Sequence, residues 1–541
     1  MYLLENPVLQ RELLVNLRML RGFVLLFAYV AMLGLVVFVA WPSETRLDLT
    51  TSPTQAKQLV NLFFLGQYVL LSLMAPSFAA GTITGEKERK TYEMLLASPL
   101  RPTAIVLGKL LASLSHLAVL VFASLPIVML CLPLGGVSPY EVLATYVAMA
   151  ASVIAFGMIC VTLSSFFTRT IAALVVSYLL ILPMVLFGVL FYKAAEDAAA
   201  FRLVALAFVI PTGCAALCGV LLTATSRRLL HPPDVGAEAK EVVDPDLEQR
   251  AAVGMVIRSD QFPDKLFAPA KRDDMMADGL NPVYDKEMRS ELFGQGTLML
   301  RLVIQLSMAL GLLLMAICLY VWPPMAPWYA GYVLLFNMLV GPVFSAGALT
   351  SERERETLEL LLCTTLSPWQ ILSGKLYSSL RISLVLTSFL VWPLLLACLL
   401  PPWTFLHDLP TMFGYALIVA ICGLTTTMLP IFCSVIFRRT SVSMMTSYLA
   451  VVVLFAFPVA AEWLARLLFP LSPLTAFVHR MTFTSPFSAC FSLPLGLAKA
   501  GDPSAAPMVA ANWPVFCGFL AFYLVLNVVI LGAILWLFNK R

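Results

Sequence analysis

Apolar runs long enough to cross a bilayer recur along the whole chain, and that recurrence leaves few folds open. They lie at about 22–41, 59–81, 110–133, 142–166, 171–192 and 203–225, then at about 299–322, 328–350, 377–400, 411–436, 441–463 and 514–538. A run of about 20 apolar residues spans the hydrocarbon core, where only helices or closed barrels satisfy their own backbone groups. Composition closes off the soluble alternative. The 541 residues are 60% hydrophobic and 12% charged, about half the charge of an ordinary water-facing domain. The sequence therefore predicts an all-α integral membrane protein with about twelve transmembrane helices.

Lys and Arg set the orientation. With the N-terminus inside, 28 of them fall on cytoplasmic segments and 7 outside, and an excess of these residues marks the cytoplasmic side. Both termini are thus expected in the cytoplasm of a multi-pass plasma-membrane protein (the inner membrane, in a prokaryote). Residues Pro7–Arg21 read as an amphipathic helix on the membrane surface, with Leu9, Leu13, Leu14 and Leu17 on one face. The run that follows ends in Trp41-Pro42 and not in small residues, so it reads as a span and not as a cleaved signal peptide.

The chain also repeats itself. Gly85–Leu110 aligns without a gap on Ser351–Leu376 at an offset of 266, with 13 of 26 positions identical. Asn6-Pro7-Val8 echoes Asn281-Pro282-Val283, Glu12 echoes Glu287, and Arg169-Thr170 with Ser177-Tyr178 echoes Arg439-Thr440 with Ser447-Tyr448. Each half reads as a surface helix, two spans, a charged cytoplasmic segment and four more spans. An even number of spans makes the halves parallel repeats. The expected boundaries are 1–225 for the first half and 297–541 for the second. Residues 226–296 form a cytoplasmic linker, partly disordered and ending in the second amphipathic helix region.

The repeated segment reads as a short amphipathic cytoplasmic helix. Gly85 and Ser351 are candidate caps, with Ser351 and Glu354 spaced as a capping box. Arg89–Glu93 and Arg355–Glu359 are spaced as i,i+4 pairs. Thr91, Tyr92, Leu95 and Leu96 share one face, as do Thr357, Leu358, Leu361 and Leu362.

The pattern E-x-E-(R/K)-x-T-x-E-x-L-L, then proline, then I-x-x-G-K leading into the next span, resembles the permease subunits of type-2 ATP-binding-cassette (ABC) exporters. The resemblance covers both halves. It implies a permease with two halves fused in one chain, driven by separate ABC ATPase subunits, two in number, that carry ATP and Mg. It also implies that the repeated segments are the coupling helices that touch those ATPases. Glu86, Glu88, Arg89, Thr91, Leu95 and Leu96 would form one docking site, and Glu352, Glu354, Arg355, Thr357, Leu361 and Leu362 the other. Thr365 stands where the first copy has Pro99.

The chain shows no nucleotide-binding motif and no cofactor of its own. Gly108-Lys109 and Gly374-Lys375 are followed by leucine and lack the upstream glycine of a phosphate-binding loop. Their lysines are expected to snorkel to the interface. The cysteines form no C-x-x-C pair and the four histidines are scattered, so neither a metal site nor catalytic chemistry is expected. Membrane lipids are expected partners, nucleic acid is not, and the outer stretch at about 464–513 is a candidate surface for an extracytoplasmic partner. Polar residues within the spans, His116, Asn61, Gln67, Gln305, Asn337 and Thr425-Thr426-Thr427, are neutral and read as helix–helix glue. Two other readings stand beside the permease. One is a membrane-embedded enzyme acting on lipid-linked substrates, which needs clustered acids or histidines at one face. The other is a secondary transporter, which needs charged or broken-helix sites at the midplane.

Overall fold

The computed structural model describes residues 9–11, 27, 29–31, 33–34, 53–131, 138–195, 198–230, 281–289, 297–321, 325–354, 356–399, 409–468, 473–493 and 512–540. Among these residues all regular structure is helical. Ten helices are long and apolar enough to cross a membrane: Phe63–Glu88, Pro102–Met129, Pro139–Phe166, Thr170–Ala194, Ala200–Leu229, Leu302–Val321, Ala326–Glu354, Pro368–Cys398, Leu409–Ile436 and Trp513–Phe538. They match ten of the twelve runs. Most of the run at 22–41, most of Pro7–Arg21, most of the linker, residues 494–511 and Arg355 lie outside the described residues.

In the first half, α1 (Pro53–Ala79) runs through Ala80 into α2 (Gly81–Glu88), and α3 (Tyr92–Leu96) follows. Then come α4 (Pro102–Cys131), α5 (Pro139–Phe166), α6 (Thr170–Ala194), α7 (Ala199–Val204) and, after one π-helical stretch, α8 (Ile210–Leu230). The start of α5 shows why the chain turns helical there. Ser138 Oγ accepts from the Glu141 N–H at 3.2 Å, Pro139 supplies a preset φ, and Glu141 sits in the positive first turn.

The second half holds α9 (Pro282–Arg289), α10 (Thr297–Met315), α11 (Ala326–Ser345), α12 (Thr350–Glu354), α13 (Leu358–Leu362), α14 (Pro368–Leu399) and α15 (Leu409–Ile436). It continues with α16 (Thr440–Phe455), α17 (Phe457–Leu468), α18 (Pro473–Met481), α19 (Pro486–Phe491) and α20 (Trp513–Lys540). The eleventh run departs from expectation: the helix over 441–463 breaks at Ala456. Pro458 cannot donate to the preceding turn and its ring clashes with it, so a new helix begins at Phe457. The stretch at about 464–513, expected from sequence to lie outside, carries α18 and α19 among its described residues.

The chain divides into two compact units. One comprises residues 1–177, 187–261 and 292–300, the other 178–186, 262–291 and 301–541. Each is packed by small residues and neutral polar pairs, the usual means where lipid removes the hydrophobic drive between helices. In the first, a side chain at Gly157 would meet Leu114 at 2.9 Å, and one at Gly188 the Tyr68 hydroxyl at 2.6 Å. There Gln67 Nε2 donates to Ser124 Oγ at 2.6 Å and Tyr192 OH to Asn61 Oδ1 at 2.9 Å. His116 stacks on Phe78 with ring centroids 5.6 Å apart. In the second, Thr387 Oγ1 donates to Asn337 Oδ1 at 2.7 Å and Asn527 Nδ2 to Thr425 Oγ1 at 3.0 Å.

Candidate functional site

The repeated segments fold alike, but not as a helix that begins at Gly85 or Ser351. The span itself carries on to Glu88, and the chain then reverses through a left-handed residue. Lys90 has φ 59° and Glu356 has φ 58°. Lys90 N–H donates to Lys87 O at 3.1 Å and Thr91 N–H to Glu86 O at 3.0 Å. Glu356 N–H donates to Arg353 O at 3.1 Å and Thr357 N–H to Glu352 O at 2.9 Å. This pair of bonds is the Schellman ending of a helix, which usually places glycine at the left-handed position. The one-turn helices α3 and α13 follow it.

Three expectations are corrected by this geometry. Ser351 lies inside the end of a helix, donating from Oγ to Gly347 O at 2.6 Å, so no capping box forms with Glu354. Arg89 caps the end of α2 and Glu93 lies in α3 beyond the reversal at Lys90, so the i,i+4 spacing no longer makes them neighbours on one helix face. Lys109 and Lys375 do not snorkel: their side chains are 3% and 4% exposed. Each is turned inward to a carboxylate, Lys109 to Glu86 and Lys375 to Glu352, both at 3.2 Å. A buried lysine needs such a partner, because an unpaired charge at low dielectric costs several kcal/mol. The threonines complete the pairs, Thr91 donating to Glu86 and Thr357 to Glu352 through their hydroxyls.

The second copy also shows why glycine precedes the lysine. Asn281 caps α9, with Oδ1 accepting from Val283 N–H at 3.0 Å, and its Nδ2 donates to Gln370 O at 2.6 Å. A side chain at Gly374 would meet Val283 Cβ at 2.9 Å and the Tyr284 backbone N at 3.0 Å. Lys375, the next residue, reaches Glu287 of α9 at 2.8 Å as well as Glu352. The G-K pair is a close helix contact followed by a buried ion pair.

Around these turns the segment is tied to a junction one span further on, α5–α6 in the first half and α15–α16 in the second. Ser164 Oγ accepts from Ile83 N–H at 3.1 Å and Thr84 N–H at 2.9 Å; Ser434 Oγ accepts from Leu349 N–H at 2.9 Å and Thr350 N–H at 3.0 Å. Lys87 Nζ donates to Ser165 O at 2.6 Å and Phe167 O at 2.9 Å. Its counterpart Arg353 donates to Ser434 O at 3.4 Å, Val435 O at 3.1 Å and Phe437 O at 2.7 Å. Glu88 Oε1 accepts from Thr170 N–H and Glu354 Oε1 from Thr440 N–H, each at 2.8 Å.

The residues singled out from sequence thus divide. Glu86 and Glu352 pair with the buried lysines, Thr91 and Thr357 donate to those carboxylates, and Glu88 and Glu354 accept from the first N–H of α6 and α16. Leu95, Leu96 and Leu361 are half-buried, with Leu361 packed against a core of Leu349, Ile371 and Leu372; Leu362 and Arg89 are exposed. Arg355 lies outside the described residues. The outward faces of the one-turn helices are formed by Glu93, Met94 and Ala97, and by Glu359, Leu360 and Cys363. Met94 is 77% and Leu360 70% exposed. Sequence matching passed over Met94 and Leu360 because they differ between the copies. It also passed over Lys87, Arg353, Ser164 and Ser434. The signal for the two serines was present in the Arg169-Thr170 echo, a few residues after each.

A family model described as ABC-2 family transporter protein matches residues 7–213 and 249–541. No curated protein matches the sequence.

Proposed function

The chain belongs to the ABC-2 family of transporters, as a multi-pass membrane permease with two halves fused in one polypeptide, and from that premise we propose that it is an exporter whose two reversed turns each dock a separate ABC ATPase subunit. ABC ATPase partners are implied by the family; their number, their seats and the direction of transport are this reading's own. ATP and Mg belong to the partner in this reading, and the chain contributes no catalytic group. The observation that carries it is the duplication. Each half presents one short helix beyond the end of a span, with an apolar side chain beside a carboxylate: Met94 with Glu93, and Leu360 with Glu359. Exposed apolar residues beside carboxylates fit a protein partner better than water.

The excess of Lys and Arg on these segments supports a cytoplasmic position for both, with the termini on the same side of the plasma membrane. Cargo is read from the span interiors. They are neutral, and one end of each amide is used in a bond between helices, as at Gln67, Asn337 and Asn527, which favours an amphipathic or lipid-like cargo over a proton or ion relay.

Co-purification with the ABC ATPase from the native host tests the docking. Met94→Glu with Leu360→Glu is expected to insert normally and to lose the ATPase, while either change alone leaves partial binding. The chain purified alone is expected to hydrolyse no ATP. Full ATPase retention by the double variant overturns the docking assignment.

A further inference from the structure

Each docking turn is bracketed at both poles of one helix junction. The last carbonyls of α5 and α15 carry the negative end of their helix dipoles, and a cation sits on them: Lys87 on Ser165 and Phe167, Arg353 on Val435 and Phe437. The first N–H of α6 and α16 carries the positive end, and a carboxylate sits there: Glu88 on Thr170, Glu354 on Thr440. Between them Ser164 and Ser434 accept two backbone N–H groups from the helix that leads into the turn. One partner in every one of these bonds is backbone, so each ties a side chain to the path of a helix and not to another mobile side chain. In the first copy Gly81 lets that helix lie close, since a side chain there would meet the Thr170 methyl at 3.3 Å; at Gly347 the Thr440 methyl, at 3.6 Å, leaves room for one.

The two copies make these bonds independently. The turns are related by an offset of 266 residues, the junctions by 270, as Ser164 to Ser434 and Thr170 to Thr440 show. The chain between turn and junction therefore differs in length by four residues, yet the same atoms meet. A surface turn that merely covered the membrane would not need a cation, an anion and a hydroxyl held on the same three backbone targets twice.

We infer that Lys87, Glu88 and Ser164, with Arg353, Glu354 and Ser434, are positioning residues for coupling: they carry movement of the docked turn into the α5–α6 and α15–α16 junctions. This rests on the docking reading above and assigns it a route. A push on α3 or α13 moves the preceding span end and the following junction as one body. The loop does not absorb it.

The test separates binding from turnover in the complex with the host ABC ATPase, reconstituted in lipid nanodiscs. Ser164→Ala with Ser434→Ala removes the neutral part of the bracket, and Glu88→Ala with Glu354→Ala removes the anionic part. In both, the apparent affinity for the ATPase is expected to stay within about threefold of the parent while permease-stimulated ATP turnover falls about tenfold or more, the pattern of an interaction made during the working step and not in the bound ground state. Lys87→Arg with Arg353→Lys is expected to keep both quantities, since each copy then carries the residue that its counterpart uses natively. A merely structural role would lower affinity and turnover together in proportion to lost folded protein. That parallel loss, or unchanged turnover in both alanine pairs, overturns the inference. The docking reading fails separately, if Met94→Glu with Leu360→Glu keeps the ATPase.

Discussion

In the first half a lysine, Lys87, reaches two carbonyls at the end of α5; in the second an arginine, Arg353, reaches three at the end of α15. The left-handed position is Lys90 in one and Glu356 in the other, opposite charges at nearly the same φ. Outward, Met94 answers to Leu360 and Ala97 to Cys363, and Leu96 is half-buried where Leu362 is exposed. Inward, the copies agree atom for atom: Glu86 and Glu352 on a buried lysine, Glu88 and Glu354 on a helix N-terminus, Ser164 and Ser434 on paired N–H groups. The difference teaches that most identities between the copies describe how each turn is held. The surface it offers varies more, as Met94 against Leu360 and Ala97 against Cys363 show, although Glu93 and Glu359 are exposed in both copies.

The largest effect is expected where both copies agree and the group is most deeply buried. Glu86→Ala or Glu352→Ala removes one carboxylate from a lysine buried in the protein; Lys375 keeps Glu287 at 2.8 Å, so the loss is expected to stay below the roughly 3–5 kcal/mol that breaking a buried pair outright costs. Each should lower the thermal unfolding temperature in detergent by a similar amount. A large loss from one alone would break the equivalence of the halves. Next is Gly374→Ala, whose new methyl collides with Val283 and the Tyr284 backbone. Overpacking of this kind costs about 1–3 kcal/mol, and a parallel loss from Gly108→Ala would show that the first half seats its own surface helix in the same way.

Smaller effects probe the turns themselves. Lys90→Gly and Glu356→Gly relieve a left-handed residue that costs roughly 1–2 kcal/mol with a side chain, offset in part by the freedom glycine gains when unfolded. Each is expected to raise stability by about 0.5–1 kcal/mol. A drop in unfolding temperature from either would mean that its side chain is held by a contact the other copy lacks. Smallest of all is the exchange Lys87→Arg with Arg353→Lys, expected to shift stability by no more than about 0.5 kcal/mol.

Much of this architecture was legible in the sequence. Twenty-residue apolar runs have one reading in a chain so poor in charge, and ten of the spans fall where those runs lie. The repeat was visible because identities in a charged segment stand out from an apolar background. The local fold of that segment was not legible. Capping-box and i,i+4 spacings describe an isolated helix, but here the preceding span runs on through Gly81 to Glu88 and supplies its own ending. Lys109 was misplaced for a related reason: its carboxylate partner lies 23 residues away in sequence, so nothing local marked it as paired. Pro458 did announce the break in the eleventh run, yet proline is tolerated within membrane helices at Pro183 and Pro393. Its residue type alone could not decide the matter.

The central claim is that both halves offer their outward one-turn helices to ABC ATPases. It is tested most directly by placing a benzophenone amino acid at residue 94 or residue 360 and irradiating the assembled complex. An ATPase adduct is expected from each position, and none from residue 92, whose side chain is buried. A complex that keeps its ATPase but yields no adduct from either position would contradict it.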